Sequence, residues 1–148
     1  MRDLSSFGSF VVVLAIGAVV AGCGSTSTST SPAPSAAADG SIAVDLSEWK
    51  VVPSTASASA GSVKFALANK GTQVHEFVVV KTDTKADKLT VVDNKIDESA
   101  LTPVDEVEDI AVGATPTLTV DLAAGHYVLL CNIETHYGQG MRADFDVK

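Results

Sequence analysis

From residue 39 onward, apolar and polar positions alternate in short runs, and that period of two predicts β-strands. Ile42, Val44 and Leu46 share one parity, with Ala43 and Asp45 on the other. Trp49, Val51 and Val52 continue into a second run that Pro53 stops. Val63, Phe65 and Leu67 alternate with Lys64, Ala66 and Ala68, and Asn69-Lys70-Gly71-Thr72 then supplies turn chemistry. The run from Val74 to Lys81 is apolar on both parities. It places His75, Phe77 and Val79 on one face and Val78 and Val80 on the other, which predicts a central strand covered on both sides. Leu118, Val120 and Leu122 alternate with Thr117, Thr119 and Asp121, Ala124-Gly125 turns the chain, and His126 to Cys131 and Met141 to Val147 predict the last two strands.

Residues 82–109 break this regularity. Leu89, Val91, Val92, Ile96, Leu101, Val104 and Val107 follow no clean period, so the stretch reads as a long connection holding one or two short strands or a helical turn. Its carboxylates, Asp105, Glu106, Glu108 and Asp109, read as a solvated acidic loop rather than a metal or acid–base site. No internal repeat and no amphipathic helical period is present. Seven to eight short strands at this spacing predict an all-β fold, an antiparallel Greek-key β-sandwich.

The first 38 residues follow other rules. Arg2 precedes an apolar run from Phe7 to Ala21, shorter than the roughly 20 residues of a membrane span and suited to the apolar region of a secretory signal. Val20-Ala21-Gly22-Cys23 resembles the lipobox of bacterial lipoproteins, and the resemblance implies cleavage before Cys23 and lipid on that residue. Gly24 to Ala38 is Ser, Thr, Ala, Pro and Gly without charge. It is expected to be a flexible tether reaching roughly 20 Å. The expected division is a signal peptide at 1–22, a lipidated Cys23 with its linker at 23–38, and a folded domain at 39–148. The expected location is outside the cytoplasm, anchored to the bacterial cell membrane at the cell surface or in the periplasm.

The 148-residue chain has a formal net charge of −8. That balance excludes a nucleic-acid partner, because phosphate binding needs a basic surface. It suits solubility or the steering of a basic partner. There are two cysteines. With Cys23 committed to lipid, Cys131 is a lone thiol in an oxidising compartment, and ligation to a metal would protect it.

The stretch Cys131 to Met141 carries the chemistry. Cys131, His136 and Met141 stand five residues apart each time, giving a thiol, an imidazole and a thioether. Two His, one Cys and a weak axial Met form the ligand set of a blue-copper electron-transfer site. The second His must come from elsewhere, and only His75 and His126 remain. In a regular strand Cys131 shares a face with Leu129 and Tyr127, while His126 points the other way. His75 begins the Phe77–Val79 face and reaches the same end of the sandwich, so the expected ligands are His75, Cys131, His136 and Met141, with His126 a surface residue.

These motifs are similar to those of the cupredoxins, the plastocyanin and azurin relatives. They are Asn69-x-Gly followed by His75-Glu-Phe-Val-Val, then Gly125-x-Tyr127 leading to Cys131, His136 and Met141. The resemblance covers about residues 39 to 148 and implies one type 1 copper in a β-sandwich. The spacing of the last three ligands resembles the longer-loop members, rusticyanin and the phytocyanins. Where many relatives carry Asn after the first His ligand, this chain has Glu76, and Asn132 is a candidate for the bracing role.

The expected function is a lipid-anchored carrier shuttling single electrons between redox proteins, such as a cytochrome or an oxidase, and working as a monomer. The rival is copper storage, delivery or resistance without a redox circuit. An enzyme is not expected. Copper reductases and oxidases need further His clusters, and the chain has three His. A binuclear centre would need a second Cys in the ligand loop. His136, taken as lying in an exposed loop, is the expected exit for the electron, with Tyr137, Gly138 and Gly140 as a flat docking patch.

Overall fold

The structure, a computed structural model, describes residues 39–148. The expectations for the signal segment, Cys23 and the tether lie outside the described residues. Within these residues the chain forms strands β1 (Ile42–Ser47), β2 (Lys50–Pro53), β3 (Ser57–Ala58), β4 (Gly61–Asn69), β5 (His75–Lys81), β6 (Val91–Val92), β7 (Lys95–Ile96), β8 (Thr102–Ile110), β9 (Thr117–Leu122), β10 (Gly125–Leu130) and β11 (Arg142–Val147). A 3-10 turn spans Glu98–Ala100, and one short helix, α1, spans His136–Gln139. Eight of these strands have four residues or more, matching the all-β sandwich the alternation predicts.

Two sheets make the sandwich. One has the order β2-β1-β4-β9 and the other β3-β11-β10-β5-β8, while β6 and β7 form a separate hairpin. Most pairings are antiparallel, but β1 runs parallel to β4 and β3 parallel to β11, so both sheets are mixed. The period-2 reading holds strand by strand. In β1 the buried positions are Ile42, Val44 and Leu46, and in β9 they are Leu118, Val120 and Leu122. Phe65 on the first sheet meets Phe77 and Phe145 on the second, with ring centroids 5.3 and 5.5 Å apart. Burying each such ring contributes about 2–3 kcal/mol, and the contact locks the two sheets together.

The central strand β5 lies between β10 and β8, and both its faces are covered. Phe77 and Val79 point into the sandwich, while Val78 and Val80 join Val128 and Leu130 in a second apolar cluster on the outer side. Ala86, Leu89, Ile96 and Tyr137 cover that cluster.

The connection at 82–109 differs from its expected form. It contains the β6–β7 hairpin, the 3-10 turn and most of a nine-residue strand, β8, paired with β5 through two register shifts. β8 escapes a pattern reading because it is an edge strand. Seven of its residues, Thr102 to Glu106, Glu108 and Asp109, are exposed, so neither parity is apolar. Asp105, Glu106, Glu108 and Asp109 therefore lie on a solvent-facing edge strand rather than in a loop, and such charges discourage edge-to-edge pairing.

Candidate metal centre

Two strands of one sheet and the short helix α1 converge at one end of the sandwich. β5 delivers His75 as its first residue, Cys131 follows the end of β10, and α1 begins with His136. Between Cys131 and Met141 the backbone closes on itself. The Cys131 amide donates to the Met141 carbonyl at 3.0 Å, and the Met141 amide donates to the His136 carbonyl at 3.1 Å. Thr135, just before α1, adopts a left-handed φ of +72°, a strained choice for a β-branched residue. Its amide is held by the Asn94 carbonyl at 2.9 Å.

One donor atom from each of His75, Cys131 and His136 lies within 4.8 Å of the others. The Nδ1 atoms of His75 and His136 face each other at 3.3 Å, and Cys131 Sγ lies 3.4 Å from His136 Nδ1. His75, Cys131 and Met141 are fully buried, and His136 is 5 % exposed. His126 is remote from this cluster. Its Nδ1 bonds the Thr82 carbonyl at 2.6 Å and its Nε2 the Asp144 carboxylate at 2.8 Å, so it is a partly buried strut rather than the surface residue expected.

The electrostatics favour neutral donors. Burial lowers the His75 pKa, His136 pushes the same way, and Glu48 opposes both. Burial likewise lowers His136. Burial raises the Cys131 thiol, against the pull of the Glu76 and Ile133 amides, the first of which donates to the sulfur at 3.4 Å. Two neutral imidazoles and a thiol turned towards one another in a dry pocket suit a soft or borderline cation, because binding replaces the thiol proton with a stronger electrophile. The donor set fits copper, and the buried thioether of Met141 at the same end makes zinc a poorer match.

Two sequence expectations about the loop are corrected. His136 is buried within α1, and the edge of the Trp49 ring covers it at a centroid distance of 5.2 Å. Tyr137 is not part of a flat patch. It turns inward, its hydroxyl donating to the Ala86 carbonyl at 2.5 Å and accepting from the Leu89 amide at 3.2 Å. A two-residue parity argument could not see this, because α1 rotates successive side chains by about 100° rather than 180°. Gly138 and Gln139 remain exposed.

Asn132 does brace the site, as its position suggests. Its side chain accepts from the Ile96 amide at 2.6 Å and donates to the Ile96 carbonyl and Glu98. Glu76 points to the same side, and burial raises its carboxyl pKa while the Asn132 amide opposes the shift. Asn69 fixes the loop before β5, donating to the Gln73 and Ile110 carbonyls and accepting from Gly71.

The sequence reading missed Glu48. It sits between β1 and β2, where its carboxylate accepts the amides of Thr72 and Gln73 at 2.7 and 2.9 Å, and its own backbone amide, followed by these two, holds its pKa below the usual range. No sequence spacing ties Glu48 to a residue 27 positions on. Only the parallel β1–β4 pairing brings the end of β1 beside the Asn69 loop.

A two-sheet sandwich with a buried His–Cys–His cluster at one end is the architecture of a mononuclear copper protein. The cupredoxin-like domain family matches residues 13–141, and the chain belongs to that family. The site accordingly holds one copper. Among solved structures, the fold is similar to auracyanin from Roseiflexus castenholzii, in its dithionite-reduced form. That match is 20% identical, covers 72% of this chain and 94% of the other, and has a TM-score of 0.53. Auracyanin B is 19% identical over 73% of this chain and 88% of that one, with a TM-score of 0.51, and a rusticyanin variant is 20% identical over 73% and 78%, at 0.50. Among curated proteins, no sequence matches.

Proposed function

We propose that this protein is an extracytoplasmic, lipid-anchored electron carrier, with His75, Cys131, His136 and Met141 holding one type 1 copper. The observation that carries the reading is the convergence of two imidazoles and one thiol in a buried pocket at one end of the sandwich. When bound, copper supplies a one-electron couple. The chain's part is to hold the donors in one arrangement and to exclude water. The Met141–Cys131 and Met141–His136 backbone bonds fix the spacing of the loop ligands, and β5 fixes His75 from the other side. A pocket held this way changes little between oxidation states, which keeps the reorganisation accompanying electron exchange small.

His136, the least deeply buried of the three donors, and the half-buried Trp49 ring against it mark where a redox partner would approach. Anchoring by Cys23 and the tether at 23–38 would leave the domain at 39–148 free to meet such a partner. Adding Cu(II) to the purified full-length chain should give an intense thiolate-to-copper visible band and a reversible one-electron wave. Tight copper uptake followed by transfer to an acceptor, with no reversible wave, would instead support copper handling.

A further inference from the structure

We propose that Glu48 is a positioning residue for the copper ligand His75, holding the imidazole by its Nε2–H and setting the site's reduction potential. The inference rests on the copper reading above. The two nitrogens of His75 face different surroundings. Nδ1 turns to His136 in the ligand cluster, at 3.3 Å, which leaves Nε2 to carry the proton when Nδ1 binds metal. Nε2 is a fully buried nitrogen without a hydrogen-bond partner, and a buried unpartnered N–H costs free energy. Glu48 Oε1 lies 3.6 Å away. That separation is within ion–dipole reach, and closing it by about half an ångström makes a hydrogen bond of ordinary length.

Gly71 shows how closely the contact is built. A Cβ at that position would lie 2.7 and 2.8 Å from the two Glu48 oxygens and 2.8 Å from His75 Nε2. The Asn69 loop thus crosses directly over the carboxylate and the imidazole, and only glycine leaves them side by side. The carboxylate is itself pinned by the Thr72 and Gln73 amides, so it stands as a fixed negative charge rather than a mobile side chain. A carboxylate behind a ligating imidazole strengthens the ligand and favours the more highly charged metal state. Glu48 therefore stabilises Cu(II) over Cu(I).

The test is voltammetry with visible spectra on the copper-loaded full-length chain and on Glu48→Gln, which keeps the side chain's length and an acceptor for the loop amides. The visible band is expected in both proteins. The Cu(II)/Cu(I) balance is expected to move at least tenfold towards Cu(I) in the variant, a rise of about 59 mV for a one-electron couple. Gly71→Ala, which forces the carboxylate and imidazole apart, is the second variant and should shift the balance the same way. Where the band persists and neither variant moves the potential, Glu48 is a loop brace only and the inference is overturned, with the copper reading intact. A wild-type chain that shows no band at all overturns both.

Discussion

The two faces of the β5–β10 pair are equally dry but built from different parts of the chain. The inner face packs Phe77, Val79, Tyr127 and Leu129 against the opposite sheet and ends in the His75–Cys131–His136 cluster. The outer face, Val78, Val80, Val128 and Leu130, is covered by Ala86, Leu89 and Ile96 from the irregular 82–101 segment and by Tyr137 from the ligand loop. The inner core makes the sandwich, whereas the outer cluster clamps the loop that carries two of the three clustered donors. Asn132 and Tyr137 lie in that loop, and both reach into the outer segment by hydrogen bonds. The irregular connection thus serves as the back wall of the metal centre.

This contrast can be broken by mutation. Phe77→Ala empties the space between Phe65 and its neighbours and should cost about 3–5 kcal/mol by denaturant unfolding of the metal-free protein. Ile96→Ala, on the outer side, should cost about 2 kcal/mol, because the two-residue strands around it can relax into the gap. Equal losses from the two substitutions would mean that the outer segment is as integral to the sandwich as the inner core.

Tyr137→Phe is a finer probe. It keeps the ring but strands the Leu89 amide and the Ala86 carbonyl, and should cost about 1–3 kcal/mol. If the clamp matters to the site, the variant should also release copper faster to a chelator, whereas an unchanged release rate would confine Tyr137 to stability.

How far the sequence reveals the molecule follows the same division. Strands with one wet and one dry face, such as β1 and β9, are legible because alternation records burial directly. The double-sided apolar run of β5 correctly signals that something covers its outer face, but not what does. The cover comes from residues 86–96, whose buried positions, Ala86, Leu89 and Ile96, follow neither a strand nor a helix period. β8 is illegible for the opposite reason, since an edge strand in solvent has no core face to advertise. At the site, Cys131 and His136 are marked by their spacing and His75 by its parity, and the three do converge. Glu48 is invisible to spacing because a strand pairing between distant segments brings it there.

The smallest effect is on pH. Burial lowers the folded pKa of His75 and of His136, so below about pH 6.5 the unfolded chain binds protons that the native metal-free protein does not. Stability is therefore present above that pH and is lost as pH falls towards the folded values. Cys131 acts at the other end. Its raised pKa gives stability that is present below about pH 8.5 and lost as pH rises. Unfolding free energy of the metal-free protein should form a broad maximum between these limits, and His75→Phe should flatten its acid side. A flat profile across the acid range would contradict burial of the two imidazoles as neutral groups.

His75, far from Cys131 and His136 along the chain, is brought with them onto one copper. X-ray absorption at the copper edge, on the loaded full-length protein, tests it most directly. The expected result is a shell of two imidazole nitrogens and one short sulfur, with the sulfur lost in Cys131→Ser and one nitrogen lost in His75→Ala. A shell lacking the short sulfur, or unchanged by both substitutions, would contradict the claim.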